Sequence, residues 1–122
     1  MTAEQFFTNF PRSLVLYAIV EKALNTLGTY SVKITKSQIA FLADKPFAYV
    51  WIPGRYQKGN TALLVLSLPL SFRDETVHWK EIYHVRKRVY MHHKELWTAE
   101  DLDQKLIDLL AHSYQEVRSK HA

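Results

Sequence analysis

The densest group of residues that could do chemistry lies in the last third of the chain. Residues 86–97 read Arg-Lys-Arg-Val-Tyr-Met-His-His-Lys-Glu-Leu-Trp, with three consecutive cations, two adjacent histidines and two aromatic residues. Alternate residues of a strand point to the same face. One face of this strand would therefore be cationic and aromatic, since it would carry Arg88, Tyr90, His92 and Lys94. Such a face can neutralise phosphates and stack a planar ring. The pattern therefore indicates a binding surface for an anionic ligand or a nucleic acid.

Four residues from other strands and loops are further candidates for this surface. Trp51 would add a second flat apolar surface beside Tyr90, and the remaining three would fix orientation or touch an anion: Lys36, Gln38 and Arg55. The alternative interpretation is that the cations only keep an exposed sheet face soluble while Tyr90 covers apolar neighbours. Tryptophan is also more often a core or rim anchor than a stacking platform.

The adjacent histidines do not predict a metal site. Neighbouring strand residues point to opposite faces, so His92 and His93 cannot both reach one ion unless a bulge rotates one of them. In the alternative interpretation, one histidine packs under the sheet with a hydrogen bond and the other is solvated. We predict no metal and no other cofactor.

Two catalytic patterns are incomplete. Residues 54–61 have the glycine spacing of a phosphate-binding loop, but Asn60 stands where that loop needs a lysine, and a strand rather than a helix should follow. The chain has no cysteine, and no serine lies in a Gly-x-Ser-x-Gly motif. No catalytic residue is predicted, and an unrecognised hydrolase is the third alternative, after a binding module and a structural or oligomerisation domain.

The elements that must position these residues follow from hydrophobic period and turn residues. Thr2 to Gln5 reads as a capped short helix, and a second helix runs from Pro11 or Ser13 to Gly28. The last helix is capped by Thr98. Six runs are typical of strands: residues 30–35, 38–42, 47–52, 61–68, 80–85 and 88–96, the last two joined by a turn at Arg86-Lys87. The order predicts a two-layer α+β domain with N-terminal helices, an antiparallel sheet and a C-terminal helix.

Within this plan, two details concern the sheet and the helix faces. Residues 63–66 are apolar on both faces, which predicts a central strand ended by Pro69. The buried stripe of the second helix would include Leu16, Ile19 and Val20, and that of the last helix Leu106, Leu110 and Tyr114. An edge strand at 61–68 or 80–85 could pair with a second copy, so a homodimer is an alternative.

Length and composition predict the number of domains, the location of the protein and the charge of its partner. The 122 residues suit one domain, and the absence of cysteine and of a signal-peptide pattern predicts a cytoplasmic protein. The longest apolar run, residues 14–20, is far shorter than the roughly 20 residues of a membrane helix, so no membrane span is expected. The net charge of +4 fits an anionic partner, but solubility alone would also produce it.

Five motifs follow one another along nearly the whole chain: Thr35-Lys-Ser-Gln-Ile-Ala-Phe41, Phe47-Ala-Tyr-Val-Trp-Ile-Pro53, Leu66-Ser-Leu-Pro69, Met91-His-His93, and Asp101-Leu-Asp103 leading into Leu110 and Tyr114. In this order they resemble the DUF5655 family of small bacterial domains. The chain departs from the family pattern at Arg86-Lys-Arg88, where a Pro-Gly type connection is expected. The resemblance implies a compact domain that occurs alone or appended to larger proteins, some nuclease-like or restriction-related, and it implies no established activity.

Overall fold

The computed structural model describes residues 1–119, and side chains as far as Arg118. This part of the chain forms three α-helices, six strands and two short 3-10 turns. The helices are α1 (Ala3–Phe6), α2 (Pro11–Leu24) and α3 (Gln104–Ser119); the strands are β1 (Ser31–Ile34), β2 (Ile39–Ala43), β3 (Lys45–Trp51), β4 (Leu64–Leu70), β5 (Glu81–Arg86) and β6 (Val89–Leu96); the 3-10 turns are Pro53–Arg55 and Ala99–Asp101. The predicted order of elements is confirmed.

The six strands form one antiparallel sheet in the order β1-β2-β3-β4-β6-β5. The strand β4 is one of the two central strands, as its two apolar faces predict, and it therefore offers no free edge for pairing with a second copy. The connection from β4 to β5 passes β6, which then returns between them. The architecture is the predicted two-layer α+β fold.

Both long helices pack on one face of the sheet. Residues from α1, α2, the sheet and α3 belong to one continuous hydrophobic cluster, in which Phe47 contacts Tyr114 at a ring-centroid distance of 5.0 Å. In α2, Tyr17 is buried and Ile19 is 37% exposed, so the expected place of Ile19 in the buried stripe is wrong. The stripe turns toward Tyr17 because its ring packs between Phe7 and Phe41.

The start of α3 differs from the prediction. Thr98 caps the 3-10 turn Ala99–Asp101 in a reciprocal capping box with Asp101, and does not cap the α-helix itself. Asp103 takes that role, because its Oδ1 accepts a hydrogen bond from the backbone N–H of Leu106 at 3.0 Å. The chain thus enters α3 through two successive caps.

Two strand boundaries also differ. Pro69 does not end β4; it pairs with Met91 inside the strand. A proline is tolerated there because the pairing of β4 with β3 ends at Tyr49 and Ser67, so no β3 residue is registered with Pro69 and its missing N–H interrupts no pair of that ladder.

The hairpin between β5 and β6 turns one residue later than predicted. Arg86 pairs with Val89, so the turn residues are Lys87 and Arg88, and Arg88 adopts a left-handed conformation with φ of 61°. Arg88 therefore lies in the turn and not in β6, and it is separated from the alternating positions of that strand.

No helix in the described part of the chain is both long and apolar enough to cross a membrane.

Candidate functional site

The sheet face opposite the helices carries one continuous row of side chains. Within the described chain no helix packs on this side, which we name the open face. Strand register aligns one residue from each strand across it: Lys33, Ala40, Tyr49, Ser67, His93 and Glu81. Because alternate residues share a face, Trp51 and Met91 also lie here.

Three side chains at the centre of the open face are joined by hydrogen bonds. The Trp51 indole Nε1–H donates to Ser67 Oγ at 3.2 Å, and Ser67 Oγ lies 2.6 Å from His93 Nδ1. Indole nitrogen can only donate, so the serine oxygen accepts a hydrogen bond from Trp51 and its hydroxyl can donate one to His93 Nδ1. A neutral His93 protonated on Nε2 satisfies this arrangement and leaves one N–H donor for another partner.

The electrostatic surroundings favour that neutral form. Burial lowers the pKa of His93 below its usual value; the carboxylate of Glu81 opposes this shift, and the positive charge of Lys80 adds to it. Lys80 lies just before β5, and its backbone N–H donates to the carbonyl of His93 at 2.8 Å. Its ammonium Nζ reaches a point 5.6 Å from the centre of the Trp51 ring. The ammonium group of Lys80 therefore lies close to the indole ring of Trp51.

A groove of about 180 Å³ opens over these residues. Its walls combine aromatic, thioether and hydrogen-bonding groups, and none of them is a charged side chain: Gln38, Tyr49, Trp51, Ser67, Met91 and His93. We name this space the ring groove. Its dimensions and flat walls suit a planar group held by stacking and by the donor at His93 Nε2.

A second cavity of about 290 Å³ adjoins the ring groove, and Tyr49 and Met91 line both. Three of its lining residues are cations, Lys45, Arg86 and Arg88, and we name them the cationic end. Burial raises the pKa of Tyr49 while the charge of Arg86 opposes that rise, so the guanidinium acts electrostatically on the ring-groove tyrosine. Glu116 is the acid in this lining, and it accepts hydrogen bonds from the backbone N–H and hydroxyl of Ser71.

Of the predicted site residues, His92 is excluded from any ligand contact by burial. It is 0% exposed and lies on the helix face opposite Leu68. Its Nε2 accepts the backbone N–H of Asp74 at 2.9 Å, so its Nδ1–H donates to the carbonyl of Tyr90 at 2.9 Å. The prediction that His92 and His93 face opposite sides is confirmed. In this pair, His92 is the histidine that packs under the sheet, whereas His93 is half-buried and bonded to Ser67.

Four other candidates are engaged away from the grooves. Tyr90 and Lys94 share the helix-side face with His92, where Tyr90 stacks on His84 at a centroid distance of 4.3 Å and Lys94 Nζ donates to the carbonyl of His78 at 3.1 Å. Arg55 donates to the backbone carbonyls of Lys36 and Phe6, which ties down the loop that carries Lys36.

The predicted set therefore does not form one surface. Gln38 and Trp51 line the ring groove and Arg88 lines the adjoining cavity, while the other five candidates lie elsewhere. The reason is that β6 presents its Tyr90–His92–Lys94 face to the helix side, so the Met91–His93 face is the one left open.

Among the cavity residues that sequence reasoning missed are Lys45, Tyr49, Ser67, Arg86 and His93. One signal was present. Ser67 is a lone polar residue in an apolar strand, out of phase with the leucines at 64, 66 and 68, and an outward-facing polar residue in a central strand marks the face that is not packed on helices.

The arrangement suits binding better than covalent chemistry. Ser67 is 2% exposed and its oxygen already accepts a hydrogen bond from Trp51, so it is poorly placed to attack a substrate. Among the residues that the structure describes, no group of three or more histidine or carboxylate side chains could hold a metal ion.

Comparison with known proteins yields one match. No curated protein and no solved structure matched the chain. A family model described as a domain of unknown function, DUF5655, matches residues 3–117, which span all six strands and nearly all of α3. The chain therefore belongs to the DUF5655 family.

Proposed function

We propose that the protein is a binding module whose open face takes an anionic ligand that carries a planar ring, with single-stranded nucleic acid as the leading candidate. The observation that carries the proposal is that the ring groove and the cavity lined by the cationic end adjoin each other at Tyr49 and Met91. A ring and a negative charge on one ligand could thus be bound side by side.

The aromatic side chains support the stacking half of the proposal. Trp51 and Tyr49 are half-buried in the ring groove, and Tyr83, on the same face, is 59% exposed. Bases stacked on aromatic side chains of an open sheet are a recurrent way to bind single strands, and each stack contributes roughly 1–3 kcal/mol. Duplex bases are already stacked on each other, so a duplex should bind more weakly.

The distribution of charges supports the binding of the anionic group. The open face and its rim carry Lys33 and Lys80 in addition to the cationic end, against the acids Glu81 and Glu95 that lie on the same face by strand alternation. Each phosphate that a cation neutralises releases counterions, so affinity should fall steeply with salt.

Fluorescence anisotropy of labelled single-stranded DNA, single-stranded RNA and duplex DNA tests the proposal. Titrations at about 50 mM and about 200 mM salt should give saturable binding of a single strand that weakens by at least tenfold at the higher salt. Absence of binding at the lower salt, or binding that ignores salt, would contradict the proposal.

Paired variants locate the surface. Arg86→Gln with Arg88→Gln, and separately Tyr83→Ala, should weaken binding, because the first removes two cations and the second an exposed ring. The matched control is Lys22→Gln with Lys105→Gln, which also removes two positive charges but from exposed positions on α2 and α3. Equal loss in the control would show that only net charge matters.

A second candidate function is self-association through β5. Among the described residues this strand pairs with β6 alone, and Tyr83 and Val85 on it are 59% and 43% exposed. An antiparallel pair centred between Tyr83 and His84 would set Glu81 opposite Arg86 of the second copy, a favourable cross-strand charge pair. Sedimentation equilibrium would detect such a dimer, and Val85→Pro, which blocks edge pairing, should dissociate it.

A further inference from the structure

The cationic end is assembled from parts of the chain that are far apart in sequence. Both β3 and β6 pair antiparallel with β4, so they run in the same direction and begin at the same end of the sheet. Lys45 is the first residue of β3, and Arg88 directly precedes β6. The two tight turns, with Asp44 at φ 73° and Arg88 at φ 61°, therefore lie at that common end.

The cavity between these turns is bounded on its far side by the C-terminal helix. Glu116 and Val117 of α3 line it together with Ser71, and hydrogen bonds from Ser71 to the Glu116 carboxylate hold α3 against the end of β4. The ring groove thus adjoins a space that α3 borders at the end of the sheet.

The charges in the cavity favour a dianion. Lys45, Arg86 and Arg88 contribute three positive charges against the one carboxylate of Glu116. Among the side chains described, as far as Arg118, these three cations take part in no ion pair. A phosphate monoester carries about −1.5 to −2 at pH 7, and arginine can contact its oxygens through two parallel N–H donors, whereas a phosphodiester inside a strand carries a single charge.

The volume of the ring groove suits one ring system. The groove measures about 180 Å³, and a cavity of about 150 Å³ is enough for benzene. One heterocycle can therefore lie against Trp51, Tyr49 and His93.

Resting on the proposed function, we infer that the cationic end is a site for a terminal phosphate monoester, so that the ligand class is a single nucleotide or the phosphorylated end of a strand, with its ring in the ring groove. The Nε2–H of His93 then donates to an acceptor on that ring, and Gln38 lies at the other wall of the groove.

Isothermal titration with adenosine 5′-monophosphate and uridine 5′-monophosphate tests the inference, with the parent nucleosides, inorganic phosphate and a dinucleotide that has only an internal phosphodiester as comparison ligands. We expect the better monophosphate to bind at least tenfold more tightly than its nucleoside and than the dinucleotide. Arg86→Gln with Arg88→Gln should lower its affinity at least tenfold, and Lys22→Gln with Lys105→Gln should leave it unchanged.

The outcomes separate this inference from the proposed function. Oligonucleotides that bind while the monophosphates do not, or that bind equally with and without a terminal phosphate, would overturn the terminal-phosphate site and leave the proposed function standing. Inorganic phosphate that binds as tightly as the monophosphates would overturn the role of the ring groove. If neither oligonucleotides nor monophosphates bind, both fail.

Discussion

Protonation of the buried His92 should destabilise the protein below pH 6.5. Its Nε2 accepts a hydrogen bond from the Asp74 N–H, its ring lies 4.8 Å from that of Trp79, and it has no exposed surface. Burial lowers the pKa of His92 from the ordinary 6.5, assisted by the charge of Arg73; the backbone of Tyr90 and Leu68 and the charge of Asp74 oppose the shift. A proton on His92 Nε2 would also remove the acceptor of the Asp74 N–H and leave two N–H donors facing each other.

The sign follows from linkage. A histidine with a lowered folded pKa binds fewer protons in the folded than in the unfolded state, so its contribution is complete above pH 6.5 and is lost as pH falls toward the folded pKa. If His92 stays neutral in the folded state down to pH 5.5, the loss between pH 7.5 and 5.5 is about 1.4 kcal/mol, which is the upper bound for one group. His93, whose pKa is also lowered by burial, acts in the same direction.

Urea unfolding at pH 7.5 and 5.5 measures this effect. His92→Gln keeps an acceptor for the Asp74 N–H but cannot titrate, so its free energy of unfolding should change less between the two pH values than that of the parent, by up to about 1.4 kcal/mol. His93→Gln is the comparison for the open-face histidine. Asp74 does not interfere: burial would raise its pKa, but hydrogen bonds from Thr76, Trp79 and Val77 outweigh burial and lower it from 3.8, outside this window. A parent and a His92→Gln protein with the same pH dependence would refute the reasoning.

Three further stability predictions follow from contacts outside the grooves, each read from urea or thermal unfolding. Ser113 Oγ is buried and lies 2.7 Å from the carbonyl of Phe47 and 2.9 Å from that of Pro69, so Ser113→Ala should lower the free energy of unfolding by about 1–3 kcal/mol. Thr26→Ala, which removes an exposed hydrogen bond to the Ala23 carbonyl, should lower it less. The reverse order would contradict the argument. A Cβ at Gly28 would lie 2.5 Å from the hydroxyl of Tyr114, which donates to the Thr29 carbonyl, whereas a Cβ at Gly59 would meet nothing within 4 Å. Both glycines have a positive φ, so Gly28→Ala should destabilise the protein more than Gly59→Ala does. Equal losses of stability would mean that backbone strain alone accounts for both. Arg55→Ala should cost about 1.5–3 kcal/mol through the lost hydrogen bonds to the Lys36 and Phe6 carbonyls, yet leave ligand affinity unchanged; a weakened affinity would return Arg55 to the binding site.

Local patterns in the sequence predicted the elements well. The Thr2–Gln5 capping box, the period of the two long helices and the six β-branched and aromatic runs each depend on contacts between near neighbours in the chain. Boundaries failed where a distant contact decided them. Pro69 continues β4 because Met91 pairs with it, and Tyr17 replaces Ile19 in the buried stripe because Phe7 and Phe41 provide the surface against which it packs.

The candidate site was less predictable than the fold. Gln38, Trp51 and Arg88 were found from residue type, but the groups that give the grooves their chemistry come together through register. Ser67 and His93 are 26 residues apart and meet only because β4 pairs with β6. Lys45 and Arg88 reach one cavity because β3 and β6 start at the same end of the sheet.

The sequence by itself determined the elements, the hairpin of the last two strands, and the fact that His92 and His93 point in opposite directions, because backbone geometry imposes a period of two on any strand. Only the tertiary structure decided which of the two histidines is buried. Alternation is the same for both faces of β6, and the choice between them depends on the side where the helices and the loop through Asp74 and Trp79 pack. The helix face received His92, and His93 was left on the open face beside Ser67 and Trp51.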